Sequence, residues 1–321
     1  ARSHNVPAQL TTLGKRFANW GEEFDRSIES LSSLCATFPY RGLKGAVGTR
    51  LDQITLLGSP AKAAKLDQKV MNYLGAPCSW ENVGQVYPRS LDFEVISLLV
   101  RLAAAPSSFA KTLRIMAGHE LMGEGFAKGQ TGSSAMPHKM NSRSCERING
   151  FHVILNGYLT MVSQLSGDQW NEGDVSCSVV RRVALPDAFF ALDGLLDTFL
   201  TVLNQMEVFH SMIESETKKY LPFLLSTTMM MEAVKAGAGR EDAHAAIKQH
   251  AVATVSDLRK GKIKENDLPS RLAKDKRVGL KARSLQALIK DGEEKVGAAH
   301  SQVDSFVKKA RSWAKKYPEA K

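Results

Sequence analysis

Residues 90–121 read SLDFEVISLLVRLAAAPSSFAKTLRIMAGHEL, and their side chains are apolar on almost every face of a helix. A helix that is apolar all round belongs inside a bundle rather than on a surface. Pro106 is expected to kink or divide this stretch. Two further stretches of the same kind run over about 142–166 and 175–205, with no alternating strand pattern between them. The sequence therefore predicts an all-α fold built on a bundle of long helices.

The helical pattern continues on both sides of this core. Residues 5–35 carry apolar side chains at three- and four-residue steps, which predicts an amphipathic helix with Pro7 in its first turn. Shorter helices are predicted at about 60–74, 209–220, 223–236, 240–260 and 294–316.

We predict two domains from this pattern. Residues 1–205 would form a central helical-bundle domain that contains a functional loop at 123–141, and residues 206–321 a smaller C-terminal helical domain. One protomer cannot bury all the apolar surface of the three long helices, so we expect helices shared between subunits in a closed homotetramer.

The composition narrows the class of protein. The chain has 43% hydrophobic and 24% charged residues, an ordinary globular balance, and no uninterrupted apolar run of the 18 or so residues that span a bilayer. Four cysteines lie far apart with no C-x-x-C pair: Cys35, Cys78, Cys145 and Cys177. We therefore expect no metal site of the common zinc spacing, and reduced thiols in a cytoplasm.

The net charge of +10 is concentrated near one end of the chain. Residues 255–321 hold 18 basic against nine acidic side chains, and the densest part, 259–283, contains no aromatic residue. A platform for stacking nucleic-acid bases needs aromatic side chains among its cations. The charge is therefore expected to form a solvated face, and nucleic-acid binding is not favoured.

The segment Gly123–Asn141, GEGFAKGQTGSSAMPHKMN, lies between two long helices and has few core-forming residues. A polar, glycine-rich loop between rigid helices is where function tends to lie. Ser133 or Ser134 supplies a hydroxyl and Lys139 a cation, the groups needed to remove a carbon-bound proton beside a carboxylate. Asn141 is placed to cap the next helix.

That next helix begins SRSCER. Its positive dipole end, together with Arg143 and Arg147 on one face, is expected to suit an anion.

Residues 132–141, GSSAMPHKMN, match the G-S-S-x-M-P-x-K-x-N loop and so resemble the fumarase/aspartase superfamily. The resemblance implies that Ser133 is the catalytic base. It places the fumarate-forming part of a substrate on Ser134, Lys139, Met140 and Asn141.

The first twelve residues, ARSHNVPAQLTT, resemble the T-H-x-x-P-A-Q segment of the adenylosuccinate lyase family, with Ser3 in place of Thr. The resemblance implies that His4 is the general acid that protonates the leaving nitrogen. Imidazole suits this task because its pKa lies near working pH. RGLKG at 41–45 also resembles a segment of that family, without a role that we can assign.

Further segments resemble the same family. GQVYPR at 84–89 is similar to its G-Q-x-Y-x-R, which implies that Gln85 binds substrate. SCSVVRR is similar to its S-x-x-R-R, which implies that Ser178 and Arg182 contact the nucleotide, and Arg147 matches a substrate-binding arginine.

The resemblance implies a carbon–nitrogen lyase without a cofactor. It would release fumarate by β-elimination from adenylosuccinate, leaving AMP, and from the succinyl-carboxamide ribotide of purine biosynthesis. Its sites would be shared between subunits.

Two residues depart from the family pattern: Ser142 replaces a proline, and Gly173 stands where some relatives carry a substrate-contacting arginine. The N-terminal domain of that family, with its own site residues, does not precede Ala1 in this numbering. The chain alone is therefore expected to be inactive.

Two alternatives stay open. One is another fumarate-releasing lyase of the superfamily, of the argininosuccinate lyase or fumarase type. The other is a helical structural protein that keeps the fold without the activity.

Overall fold

The computed structural model describes residues 1–125, 135–136 and 138–319 and is predominantly helical, as predicted. The helices are α1 (Leu13–Thr37), α2 (Leu51–Leu57), α3 (Pro60–Tyr73), α4 (Ser90–Gly118), α5 (Arg143–Leu165), α6 (Ser176–Gln205), α7 (His210–Leu224), α8 (Ser226–Lys235), α9 (Arg240–Arg259), α10 (Leu268–Leu272), α11 (Ala282–Lys290) and α12 (Ala299–Lys316). A 3-10 turn lies at Gly292–Glu294.

The strands are two-residue pieces: β1 (Arg2–Ser3), β2 (Val6–Pro7), β3 (Pro39–Tyr40), β4 (Cys78–Ser79), β5 (Met122–Gly123) and β6 (Glu207–Val208). Strands β1 and β2 pair antiparallel, and β3 and β4 pair parallel. None of the described pairs builds a sheet of more than two strands, so helix packing determines the fold.

The chain divides into two compact units. One consists of Ala1–Asn19 with Val208–Lys321, and the other of Trp20–Glu207. The assignment of residues 1–205 and 206–321 as domains stays a prediction.

Helices α4, α5 and α6 pack against one another and form the centre of the unit Trp20–Glu207. A Cβ atom on Gly194 of α6 would lie 3.1 Å from Phe151 of α5, and Tyr158 donates a hydrogen bond to Asp187. Because the later residue of α5, Tyr158, contacts the earlier residue of α6, Asp187, the two helices are antiparallel.

Between α4 and α6, later residues of one helix contact later residues of the other. Asp92 of α4 meets Arg181 of α6, and Phe109 stacks edge-on against Phe199 at a centroid distance of 5.3 Å. Helices α4 and α6 are therefore parallel, and Trp20 of α1 packs against the same Phe109 at 5.2 Å. The three consecutive long helices thus form the predicted bundle.

The unit that contains residues 208–321 has its own apolar core. Its fully buried members come from α7 to α11, and they include Leu221, Leu225, Met229, Ala233, Ala243, Ala246, Ile247, Leu268, Leu272, Val278 and Leu285. Leu10, ahead of α1, packs against this cluster. The core explains why this charged part of the chain folds.

Two local predictions are wrong, and a third holds at most in part. Pro106 does not divide α4, because the helix is continuous from Ser90 to Gly118 and Pro106 is buried in it, whereas a kink there stays a prediction. Helix packing offsets the one backbone hydrogen bond that proline cannot make. Helix α1 begins at Leu13 rather than near residue 5, since Thr12 caps it by accepting a hydrogen bond from the Lys15 amide at 3.1 Å, and Pro7 lies in β2.

By length and composition alone, α4 is the one helix of the described chain that could cross a membrane. Of its apolar window, 56% is buried among the other residues of the protein. A core helix inside a bundle passes the same test.

Candidate functional site

A cleft of about 630 Å³ lies where α4 ends and the candidate loop re-enters the bundle. Its lining includes Lys139, Met140 and Asn141 from the chain after the loop, and Lys111 and Arg114 from α4. Three of the predicted substrate-binding residues therefore share one cleft with two further cations. Such a lining is suited to carboxylates.

The α4 wall of this cleft was not predicted from the sequence. Arg114 donates to the side-chain oxygen of Asn149 at 3.0 Å and lies 3.8 Å from Glu146, which is also a lining residue. Both partners belong to α5, so Arg114 ties the α4 wall of the cleft to α5. Only the helical spacing along α4 could have indicated that it and Lys111 share a face.

Glu124 closes the base of the loop. Its carboxylate is 3% exposed and accepts hydrogen bonds from the amides of Ser144 at 3.1 Å and Cys145 at 3.0 Å, in the first turn of α5. Burial, with Glu124 next in importance, raises the pKa of the Cys145 thiol. Glu124 therefore occupies these two amides. The expectation that the start of α5, with Arg143 and Arg147, suits an anion stays a prediction.

Other predicted residues of this region differ in position. Ser133 and Ser134 lie outside the described residues, and their roles stay predictions. Arg147 is exposed on the second turn of α5. Within the described ranges, no group of three or more His, Cys, Asp or Glu side chains could hold a metal ion.

A second group of predicted residues lies where α4 and α6 begin. The backbone amide of Gln85 donates to the carbonyl of Glu172 at 2.9 Å, which holds Gln85 beside the turn into α6. A Cβ atom on Gly173 would lie 3.4 Å from Oε1 of Gln85. The position where some relatives carry an arginine thus borders Gln85.

Ser178 and Arg182 follow on the first turns of α6, Ser178 half-buried and Arg182 exposed. Arg181, between them, is paired with Asp92 at the start of α4. The structure therefore brings Gln85, Ser178 and Arg182 to the same end of the bundle.

The two groups of residues lie at opposite ends of α4. Asp92 marks the end near Gln85 and Arg182, and Lys111 marks the end near Lys139. At about 1.5 Å of rise per residue, the 19 residue steps from Asp92 to Lys111 span roughly 28 Å along the helix. A mononucleotide is too short to reach both ends within one chain.

His4 lies at the tip of a hairpin. Strands β1 and β2 flank it in antiparallel register, and His4 and Asn5 both have left-handed backbone angles, with φ of 51° and 60°. This two-residue turn is costly for histidine, and such strain tends to occur at functional positions. Arg2 stabilises the turn by donating to the Asn5 carbonyl at 3.1 Å and by pairing with Glu216 of α7.

Known proteins resemble this chain over most of its length. A family model described as "Lyase" matches residues 1–155, and one described as "Adenylosuccinate lyase C-terminus" matches residues 222–306. A 3-carboxy-cis,cis-muconate lactonizing enzyme from Pseudomonas putida has the same fold, with a TM-score of 0.81 over 98% of this chain and 67% of its own, at 20% identity. A fumarate lyase from Mesorhizobium sp. BNC1 gives 0.78 over 95% and 66%, also at 20% identity. The chain therefore has the helical fold of the fumarase/aspartase superfamily.

Curated relatives give the branch of that superfamily. The chain is 33% identical to adenylosuccinate lyase of Saccharomyces cerevisiae and 31% identical to that of Schistosoma mansoni, in each case over 96% of the chain and 64% of the relative. The Bacillus subtilis enzyme is 30% identical over 78% of the chain and 56% of its own length. The chain belongs to the adenylosuccinate lyase family. It spans somewhat less than two thirds of the length of these relatives.

Proposed function

We propose that this protein releases fumarate from adenylosuccinate, leaving AMP, and from the succinyl-carboxamide ribotide by the same β-elimination. The observation that carries the proposal is the cleft that Lys139 and Asn141 line together with Lys111 and Arg114. The succinyl group carries two carboxylates, and this lining offers three cations and an amide beside one carboxylate, Glu146, which lies 3.8 Å from Arg114. Family membership supports the same chemistry.

The reaction needs a base and an acid. In the proposed mechanism Ser133 takes a proton from the succinyl carbon next to the one that bears nitrogen. The freed electron pair becomes the fumarate double bond as the carbon–nitrogen bond breaks, and His4 gives a proton to the leaving nitrogen. Lys139 stabilises the carboxylate that gains charge as the carbon-bound proton leaves.

The nucleotide end would bind to the second group of residues. Ser178 and Arg182 are four residues apart on α6, so a hydroxyl and a guanidinium face the same side and suit a phosphate. Gln85 borders the same turn.

We propose a homotetramer whose sites combine residues from different subunits. The roughly 28 Å between the two groups within one chain supports sharing, because another copy must bring the missing group near each cleft. Exposed large apolar side chains on α5 and α6 support an interface: Val153, Ile154, Met161, Val179, Val183, Phe189, Phe190 and Leu200. Sedimentation at micromolar concentration should give a tetramer, and a stable monomer would contradict this assembly.

A pair of variants tests which end of the substrate each group binds. Arg182→Lys replaces a planar fork by a point charge, so it should raise KM for adenylosuccinate much more than it lowers kcat. Lys139→Ala should mainly lower kcat, since its carboxylate gains charge only in the transition state. Interchanged effects would reverse the assignment.

The alternatives make different predictions in the same assay. An argininosuccinate lyase or a fumarase would release fumarate from argininosuccinate or malate rather than from succinyl-nucleotides, and a structural protein would release none.

We also propose a cytoplasmic location for this protein. The four free cysteine thiols support it, because disulfides are rare in the cytoplasm. Cell fractionation would test this location.

A further inference from the structure

A buried ionic network joins three elements at the nucleotide end of the bundle. Asp92 is 2% exposed, and its carboxylate accepts hydrogen bonds from the Tyr87 hydroxyl at 2.7 Å, Arg181 Nε at 2.7 Å and Arg89 at 3.2 Å. Arg181 also donates to the Tyr87 hydroxyl oxygen. The segment before α4, α4 itself and α6 thus meet at one carboxylate.

The tyrosine ring holds the two arginines from another direction. The guanidinium of Arg89 lies 4.1 Å and that of Arg181 5.1 Å from the centroid of the Tyr87 ring. Burial, with Asp92, raises the pKa of Tyr87 to about 12, so its hydroxyl stays a donor to Asp92 at working pH. Each member therefore has at least two partners in the network.

Arg181 is the member that connects α6 to the rest. Arg89 and Asp92 are three residues apart, both buried, and already form an ion pair near the start of α4. Asp92 would thus keep a counter-charge without Arg181, and the fold does not depend on Arg181 for that purpose. What Arg181 adds is a fixed distance between α6 and the segment of Tyr87.

The residues proposed to bind nucleotide lie directly beside this connection. Gln85 is two residues before Tyr87, and Arg182 immediately follows Arg181. Neighbours on a helix point about 100° apart. With Arg181 turned towards Asp92, Arg182 is exposed and has no ion-pair partner among the residues described here.

We propose that Arg181 is a positioning residue: it acts through Asp92 and Tyr87 to hold Arg182 and Ser178 opposite Gln85, and it does not touch the nucleotide itself. The proposal rests on the proposed function, because the nucleotide is the AMP part of the substrate. It also separates the roles of two adjacent arginines, of which one binds and the other aligns.

The test measures AMP affinity by calorimetry on the assembled full-length protein, with fumarate as a competitive inhibitor for the opposite end. Arg181→Lys and Tyr87→Phe should each weaken AMP binding about tenfold or more and change the fumarate inhibition constant less than twofold. Tyr158→Phe and Arg101→Lys are matched controls. Arg101 is exposed and Tyr158 is half-buried, and the side chain of each makes a single hydrogen bond elsewhere in the same unit. Their substitution should leave AMP affinity unchanged.

A double-variant comparison distinguishes alignment from direct contact. If Arg181 acts through Arg182, Arg181→Lys should weaken AMP binding no more than about threefold further once Arg182→Ala is present. If the loss of AMP affinity in the double variant equals the product of the losses in the two single variants, Arg181 contacts the nucleotide on its own and the proposal is overturned. Equal losses at the AMP and fumarate ends would show a general disruption and overturn it too.

The remaining outcomes also test the proposed role of Arg181. If Arg181→Lys does not fold, Tyr87→Phe, which removes one hydroxyl, settles the question by the same affinities. If the unmodified protein binds AMP but releases no fumarate, the proposed function fails and the AMP affinities still test Arg181. If it binds no AMP, both proposals are overturned.

Discussion

Two inactive variants of this protein should restore activity to each other. Lys139→Ala removes a cation from the cleft at one end of α4, and Arg182→Ala removes one from the group at the other end, roughly 28 Å away in the same chain. Each variant alone should be strongly impaired. When their subunits are mixed, some sites should combine an intact cleft from one chain with an intact Arg182 from another.

The expected recovery of activity follows from random assembly of the two variant chains into tetramers. Each site takes its cleft from one subunit and its Arg182 from a different one, and each of those subunits is intact at the relevant position half of the time. About one quarter of the sites in a random tetramer should then be intact, so the mixture should show about a quarter of normal turnover.

The assay is fumarate release followed by ultraviolet absorbance, after the two variants are dissociated together and reassembled. A matched control mixes unmodified chains with the double variant Lys139→Ala/Arg182→Ala. If sites are shared between subunits, this control mixture should also show about one quarter of normal turnover. If each site lies within one chain, it should show about one half. A mixture of the single variants no more active than its components would refute the shared site.

Three further perturbations have defined outcomes. Ser133→Ala and His4→Ala should each lower kcat by about 10²–10⁴-fold without changing the circular dichroism spectrum, since each removes a general acid or base; a mild loss in either would exclude that role. Glu124→Gln should lower the free energy of unfolding by about 2 kcal/mol in denaturant titration, because a charged cap on two buried amides becomes a neutral group with only one acceptor oxygen; no change would show that the cap is not formed. Burial raises the pKa of Asp67, but the hydrogen bonds from Lys44 and the Leu43 amide, with the nearby charges, outweigh burial and lower it below its ordinary value. The stability this gives is present above about pH 4 and is lost as pH falls through the lowered pKa, so the deficit of Asp67→Asn in thermal melts should shrink below pH 4, and a constant deficit would contradict this.

The long helices could be read from the sequence because their signal is local. The stretches predicted at about 142–166 and 175–205 became Arg143–Leu165 and Ser176–Gln205. Periodic apolar residues specify such helices whatever packs against them. Pro106 suggested a division of α4 that the structure lacks, because its local cost is visible in sequence, while the burial that offsets it is not.

Weak local signals hid other elements. Charge dominates residues 259–283, where no helix was predicted, yet α10 lies there and its Leu268 and Leu272 are fully buried. The seven-residue helix α2 was also missed, since Leu51–Leu57 follows a glycine-rich stretch and buries none of its residues.

The candidate site was only partly foreseeable. Lys139, Met140 and Asn141 are adjacent in sequence, so a motif identifies them together. Glu124 and Arg181 act over 20 and 89 residues of sequence, on the α5 amides and on Asp92. Such pairings depend on how α4, α5 and α6 pack, and no single segment carries that information.

The measurement that tests the central claim most directly is fumarate release by the full-length protein, assayed in parallel with adenylosuccinate, argininosuccinate and malate. We predict fumarate and AMP in equal amounts from adenylosuccinate, and no fumarate from the other two. Release of fumarate from argininosuccinate or malate alone, or from none of the three, would contradict it.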